Sequence, residues 1–277
     1  MTDTAIAGAG TAAAREGWRP SELESRRFGV TFGILDTAGG EYDWRKAVAS
    51  ADRAGVHVLS ARVDGNEIRH IQELEALGFR LVDTLVYYRL PLPASPASLS
   101  GAKSVAAEVR FLDRHDAEAC STIARAAFDK YLGRYHADPR LSDAAATDAY
   151  ADWAGRLLSE PNDGKLALGA IEAESLTGFI IGGQPDPQTS EIILNAVASA
   201  EQGRGTYRRL LDAYVSHAST RGAERVITST QLRNVRVQSI WADAGFRLYR
   251  SVSTLHRYPT RSPIALPCAS IFTTRGR

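Results

Sequence analysis

The chain has 277 residues, enough for two domains of ordinary size, and 44% hydrophobic with 23% charged residues excludes a fibrous repeat or wholesale disorder. Thirty-three basic side chains face 32 acidic ones, so a net charge of +1 gives no field that would draw the protein onto nucleic acid or an anionic membrane. The two cysteines, Cys120 and Cys268, are too few and too far apart for a disulfide scaffold or a thiolate metal site.

Residues 1–14, rich in Ala, Gly and Thr and carrying Asp3, do not form the apolar core of a secretory signal and read as a disordered start. No stretch reaches the ~20 apolar residues of a membrane span. A cytoplasmic, small-molecule protein is the expectation.

Between 15 and 93 the chain carries VLSARVDGN (58–66), a helical stretch ending at Leu77, the pair Gly78-Phe79 and the apolar run VDTLVYYRLP. Residues 94–104 lie in a Pro/Ser/Gly-rich linker with no apolar period. The segment 105–260 then opens with a strand at 107–112, helices over 113–132 and 143–158, and strands at 165–172, 177–182 and 191–197. A glycine-bearing loop and a helix reaching Ala218 follow. The segment ends with VITSTQLRN (226–234), a helix to Ala244, Gly245-Phe246 and a last strand.

The order strand, Asn turn, helix, Gly-Phe, strand thus occurs twice, which indicates a duplicated unit. The first copy has no Gly-rich phosphate loop upstream of its repeat and is too short for a full set of strands, so it reads as a degenerate half-domain. The alternation of helices and strands predicts a mixed α/β sheet. Residues 261–277 read as a basic tail.

In the loop Gln202-Gly203-Arg204-Gly205-Thr206-Tyr207, the glycines precede a helix whose apolar positions 207, 210, 211, 214, 215 and 218 follow the 3.6-residue period. Unpaired amides at a helix N-terminus carry positive partial charge, and glycine lets the main chain approach a bulky anion, so this is a candidate phosphate cradle. It is not a dinucleotide fingerprint, because the third glycine is absent. Nor is it a P-loop, because Gly-Lys-Ser/Thr is absent.

Gln202, Gly205 and Tyr207 fall on the Gln/Arg-x-x-Gly-x-Gly/Ala signature, which this loop resembles, of the GCN5-related N-acetyltransferases (GNAT). The resemblance spans about 105–260 and includes the preceding strand and the following TQLRN…GF unit. The tyrosine is bulky where the signature has a small residue, and is read as core. A truncated copy ahead of a full one looks most like the layout of TDP-fucosamine N-acetyltransferase and its relatives.

The resemblance implies the GNAT fold in tandem and an acetyl-CoA or other short acyl-CoA site at Val197, Gln202, Gly203, Arg204, Gly205, Thr206, Tyr207 and Asn234. The strand parts from its neighbour near Val197, whose backbone polarises the acyl carbonyl. It also implies transfer to a primary amine of a small metabolite, a nucleotide-linked amino sugar being the most specific acceptor. An antibiotic, amino acid or peptide amine is the alternative acceptor, and a non-catalytic acyl-CoA sensor the alternative from another class.

For the chemistry, Glu191 begins the central strand and is the first candidate base, with His136 the second. Where the family usually has a tyrosine acid, this chain has Trp241, a donor that does not give up its proton. That leaves water, the product ammonium or a hydroxyl such as Tyr249. Tyr131, Tyr135, His136, Tyr150 and Trp153 form an aromatic set suited to an acceptor pocket, with helix packing as the alternative for Tyr150 and Trp153. The histidines lack zinc-ligand spacing, so no metal is expected. Monomer and homodimer are both open.

Overall fold

The duplicated unit explains the architecture. Val58–Asp64 (β3), Ile68–Ala76 (α3) and Arg80–Pro91 (β4) recur as Arg225–Gln231 (β9), Val235–Asp243 (α7) and Arg247–Arg257 (β10). Between helix and strand, Gly78 (φ 87°) and Gly245 (φ 92°) adopt the left-handed conformation that a side chain disfavours. The following Phe79 and Phe246 are 2% and 1% exposed. Burying each ring contributes roughly 1.5–3 kcal/mol, which fixes the angle at which the helix meets its strand.

The structure is a computed structural model that describes residues 16–37, 43–93, 108–129, 133–161 and 164–259. The 1–14 start, the 94–104 linker, Tyr131 and the 261–277 tail lie outside the described residues.

One ten-stranded sheet runs β1-β2-β3-β10-β4-β9-β8-β7-β6-β5. The remaining strands are Trp18–Pro20 (β1), Phe32–Leu35 (β2), Glu108–Phe111 (β5), Leu166–Glu172 (β6), Ser175–Asp186 (β7) and Thr189–Val197 (β8). Among the described residues, only β2/β3 and β8/β9 pair in parallel. The closing strand of each unit pairs with the opening strand of the other, β4 with β9 and β10 with β3, and the two closing strands pair with each other. Neither segment's strands are therefore contiguous in the sheet, and β4 from the first segment fills the gap between β9 and β10 of the second.

Helix Thr206–Thr220 (α6) packs Leu210, Leu211 and Tyr214 on one face, together with Trp241 and Phe246. Helices Ala117–Phe128 (α4) and Asp143–Ser159 (α5) cover the opposite face over Phe179, Ile181, Leu194 and Ala196. The helix expected over 113–132 is shorter. Asp113 accepts from the His115 amide while Asp116 accepts from the Asp113 amide, which turns 114–116 into a 3₁₀ turn ahead of α4. In the first half, Glu22–Phe28 (α1) and Trp44–Arg53 (α2) flank the sheet, α2 burying Ala47, Val48 and Ala51. Among the described residues no helix is long and apolar enough to cross a membrane.

Candidate active site

The parallel pair β8/β9 is hydrogen-bonded from Thr189/Arg225 only as far as Ile192/Thr228. A β-bulge at this point, where Gly182 faces Ile192 but Ile181 faces Leu194, bends β8 away. The split opens five residues earlier than Val197. Ile193–Val197 on one side and Ser229–Gln231 on the other then border a cavity of about 590 Å³.

At the end of β8, Gln202 Nε2 donates to the Val197 carbonyl (3.3 Å) and ties the loop back to the strand. Gly203 (φ 84°) and Gly205 (φ 79°) are left-handed, and Gly205 stands at the N-cap of α6 with no side chain accepting from the first-turn amides. A Cβ at Gly203 would meet only Arg236 Nη2 (3.8 Å), and one at Gly205 only Arg209 Nη1 (3.9 Å), so space is open in front of both. Open amides, the helix dipole and nearby guanidinium groups make a site for an anion.

Gly203, Gly205, Thr206 and Tyr207 line the cavity, whereas Arg204 does not: it turns outward, 65% exposed, and pairs with Glu201 (3.3 Å). Arg208 and Arg236 take its place on the cavity wall. Their positions in the sequence, inside α6 and just after Asn234, gave no sign of this, because only the crossing of α6 and α7 brings them together. Asn234 lines the cavity too, but its Nδ2 donates to Thr230 Oγ1 (3.0 Å) and its side chain does not cap α7.

Tyr207, read as core, lines the cavity, and its hydroxyl accepts the indole N–H of Trp241 (2.7 Å). Trp241 itself is fully buried. Burial pushes the Tyr207 phenol well above its ordinary range, with the Trp241 bond opposing in part, so it holds its proton.

The other candidates are dispersed. Glu191 is 6% exposed on the paired part of β8 and lies off the cavity wall, with its carbonyl accepting from Tyr214 (2.9 Å). Tyr249 is likewise off the wall, packed against Tyr87 and under Arg89, and burial raises its phenol. His136 Nε2 meets Thr147 Oγ1 (3.1 Å), and burial lowers its pKa.

The aromatic set does not form one pocket. Tyr150 and Trp153 line the 590 Å³ cavity, while Tyr135, 2% exposed, donates its hydroxyl to Glu24 (2.8 Å) and borders a different one. The reason is that Tyr150 and Trp153 project from α5, whereas Tyr135 sits in the segment that turns toward α1.

Asp83, which no motif marks in the sequence, does line the cavity. It sits on the exchanged strand β4, and desolvation raises its carboxyl to about 6, against hydrogen bonds from the Thr84 amide and the Gln231 side chain. A carboxyl held near 6 at a cavity wall has the ordinary equipment of a proton acceptor near neutral pH. The nearest sequence signal was the one acidic residue in a mostly apolar strand.

Residues 123–246 match the family model described as "Acetyltransferase (GNAT) family". A search of curated proteins finds no significant match. Among solved structures, the chain is similar to a GCN5-related N-acetyltransferase from Sphaerobacter thermophilus (14% identity, covering 87% of this chain and 76% of that one, TM-score 0.58). It is similar also to a functionally unknown conserved protein from Staphylococcus epidermidis ATCC 12228 (14%, 82% and 84%, 0.58). A third is a tandem GNAT protein from the clavulanic acid biosynthesis pathway (14%, 84% and 77%, 0.55). At such identities the likenesses show the fold. The chain therefore has the GNAT fold, with its split parallel pair and a helix N-terminus at the mouth of the split, and its residues 123–246 are similar to the acetyltransferase family model.

Proposed function

We propose that the protein is an acyl-CoA-dependent N-acyltransferase acting on the primary amine of a small metabolite. The observation that carries this reading is the cavity itself, where a β8/β9 split leads to the uncapped N-terminus of α6. The residues fit coenzyme A. The amides after Gly203 and Gly205, with Arg208 and Arg236, would hold its diphosphate, and the β8 edge at Ile193–Val197 would hold its extended amide arm. Acyl-CoA supplies an acyl group activated as a thioester.

In the transfer, the amine nitrogen bonds to the acyl carbon as the carbon–sulfur bond breaks. The amine's proton leaves to a base, and the sulfur departs as a thiol. Asp83 is the base in this reading, in place of Glu191 and His136, because it alone of the three borders the cavity. Tyr207 is the proton donor in place of Tyr249. Trp241 fills one acceptor site of its oxygen with an indole N–H, which leaves the phenolic proton for a group in the cavity.

A TDP-linked amino sugar, an amino acid, a peptide and an amine-bearing antibiotic are all acceptors that this chemistry admits. Release of CoA thiol from acetyl-CoA with a panel of such amines tests the reading. CoA failing to raise the melting temperature, or no amine supporting release, would overturn it. Tight CoA binding without turnover would favour the acyl-CoA sensor instead.

A further inference from the structure

A second cavity, of about 470 Å³, opens by the same device where strands of the first half meet Arg134, Tyr135 and the β10 residues Arg250, Val252 and His256 of the second. The parallel pair β2/β3 is hydrogen-bonded from Phe32/Val58 to Ile34/Ser60 and then parts. Aligning the repeated units at Val58 and Val226 makes Ser60 the equivalent of Thr228, so both parallel pairs end on the same rung. The duplication therefore produced two clefts.

They are not alike. The helix that follows β2, α2, has its N-terminal amides answered by its own chain, because Asp43 accepts from the Lys46 amide (3.2 Å) and carries the negative charge that a phosphate would bring. Among the described residues, Asp43 thus takes the place that a diphosphate would have at this helix N-terminus. The second cleft is instead lined by charges of both signs. Arg19, Arg62, Arg134 and Arg250 are on its wall, and so are Glu24, Asp36 and Asp64. Arg250 Nε reaches Asp64 at 2.7 Å across the β10/β3 pair.

His256, 1% exposed, also borders this cavity. Its Nδ1 lies 2.9 Å from Asp138, a carboxylate that accepts only, so Nδ1 carries the proton and Nε2 presents a lone pair. Nε2 is buried with no hydrogen-bond partner. A buried acceptor without a donor is costly unless a ligand completes it. The two cavities adjoin, since Arg62 and Arg134 border both, and Leu85, Tyr87 and Val252 form one small apolar cluster along the strands between them.

Resting on the acyltransferase reading, we infer that this second cleft is the acceptor site, and that it takes a small amine that also carries an anionic group, a carboxylate or a phosphate. The arginines meet the anion, the carboxylates draw in the ammonium, and the shared wall at Arg62 and Arg134 puts the amine within reach of the acyl group. The degenerate copy is in this view an acceptor domain, its phosphate cradle exchanged for charge pairs.

The test uses the full chain with acetyl-CoA, and matched amines with and without the anion: histidine and histamine, tyrosine and tyramine, lysine and cadaverine, and a TDP-amino sugar as the phosphate arm. CoA release should favour the anionic member at least tenfold in kcat/KM, and the arm that turns over identifies carboxylate or diphosphate. Arg250→Gln and Arg19→Gln, on different strands and bordering only the second cavity, should each raise the amine KM about tenfold and leave the acetyl-CoA KM within twofold. With CoA bound, the anionic amine should raise the melting temperature of the wild type but not of the variants. Equal turnover of neutral amines, or variants that move the acetyl-CoA KM alone, overturns the inference. If CoA stabilises the protein but no anionic amine adds to that or reacts, the acceptor site fails by itself. If CoA does not stabilise it, the acyltransferase reading fails and this inference with it.

Discussion

The indole N–H of Trp241 donates to the hydroxyl of Tyr207 at 2.7 Å, joining the helix position where the family usually carries a tyrosine to the signature position where it usually carries a small residue. In the acyltransferase proposed above, the two departures compensate each other: a phenol missing from α7 is supplied from α6 and held by the indole that stands in its place.

Tyr207→Phe should therefore lower kcat by roughly the 10²–10⁴-fold of a lost general acid, with the acetyl-CoA KM nearly unchanged. It should also cost about 1–3 kcal/mol of stability, because the Trp241 N–H is left buried without an acceptor. Steady-state kinetics and thermal melts read the two effects separately, and an unchanged kcat would remove Tyr207 from the chemistry.

Asp83 sets the acidic limb. Its carboxyl must be ionised to accept a proton and titrates at about 6, so kcat/KM should fall as pH drops through 6, and Asp83→Asn should lose both rate and limb. The stability sign is opposite. The folded state keeps the proton to a higher pH than the unfolded chain, so stability is greatest below the unfolded carboxyl's ~4 and declines as pH rises to about 6. Asp83→Asn should then be more stable than the wild type at pH 7, by up to about 3 kcal/mol. A melt series between pH 4 and 8 checks the crossing.

Gly205→Asp keeps a residue type that tolerates the left-handed conformation while placing a carboxylate at the mouth of the helix amides. CoA affinity measured by calorimetry should fall at least tenfold with the fold retained. Undiminished binding would place the diphosphate elsewhere.

Asp138 is fully buried and ties its own loop to the end of β10, accepting from His256 on β10, from Tyr258 just after it (3.0 Å) and from Arg140 within the loop (3.0 Å). These partners outweigh its burial and hold its carboxyl well below the ordinary range. The contribution is complete above the unfolded pKa of ~4 and is lost only as pH falls through the depressed folded value. Asp138→Ala should cost about 3–5 kcal/mol at pH 7, since Arg140 and His256 lose a buried partner. Urea melts at pH 7 and pH 3 should show the deficit shrinking in acid.

The exchanged strands make the halves interdependent. Residues 105–277 alone leave facing edges on β9 and β10 where β4 belongs, so this fragment should aggregate or dimerise. Co-expression of 1–100 and 105–277 as separate chains should restore a soluble complex. A monomeric, CoA-binding 105–277 fragment would contradict the dependence on β4.

The sequence by itself determined what is local. Glycine pairs, apolar periods and repeated turns fix backbone geometry over a few residues, so the duplicated unit, the left-handed glycine loop at Gly203 and Gly205 and the helix α6 were all legible in the sequence. Glu191, chosen as the start of the central strand, and Tyr249, chosen as a nearby hydroxyl, lie off the cavity wall, Glu191 on the paired part of β8 and Tyr249 packed against Tyr87 and Arg89. Asp83, Arg236, the bond from Trp241 to Tyr207 and the second cleft could not be read in advance, since each depends on contacts across long separations. Strand exchange carries Asp83 into the other half's cavity, and the crossing of α6 and α7 brings Trp241 to Tyr207. Hydrogen-bond pairing between strands is indifferent to distance along the chain, so which strand lies beside which, and therefore which side chains share a wall, was settled only when the whole sheet had formed.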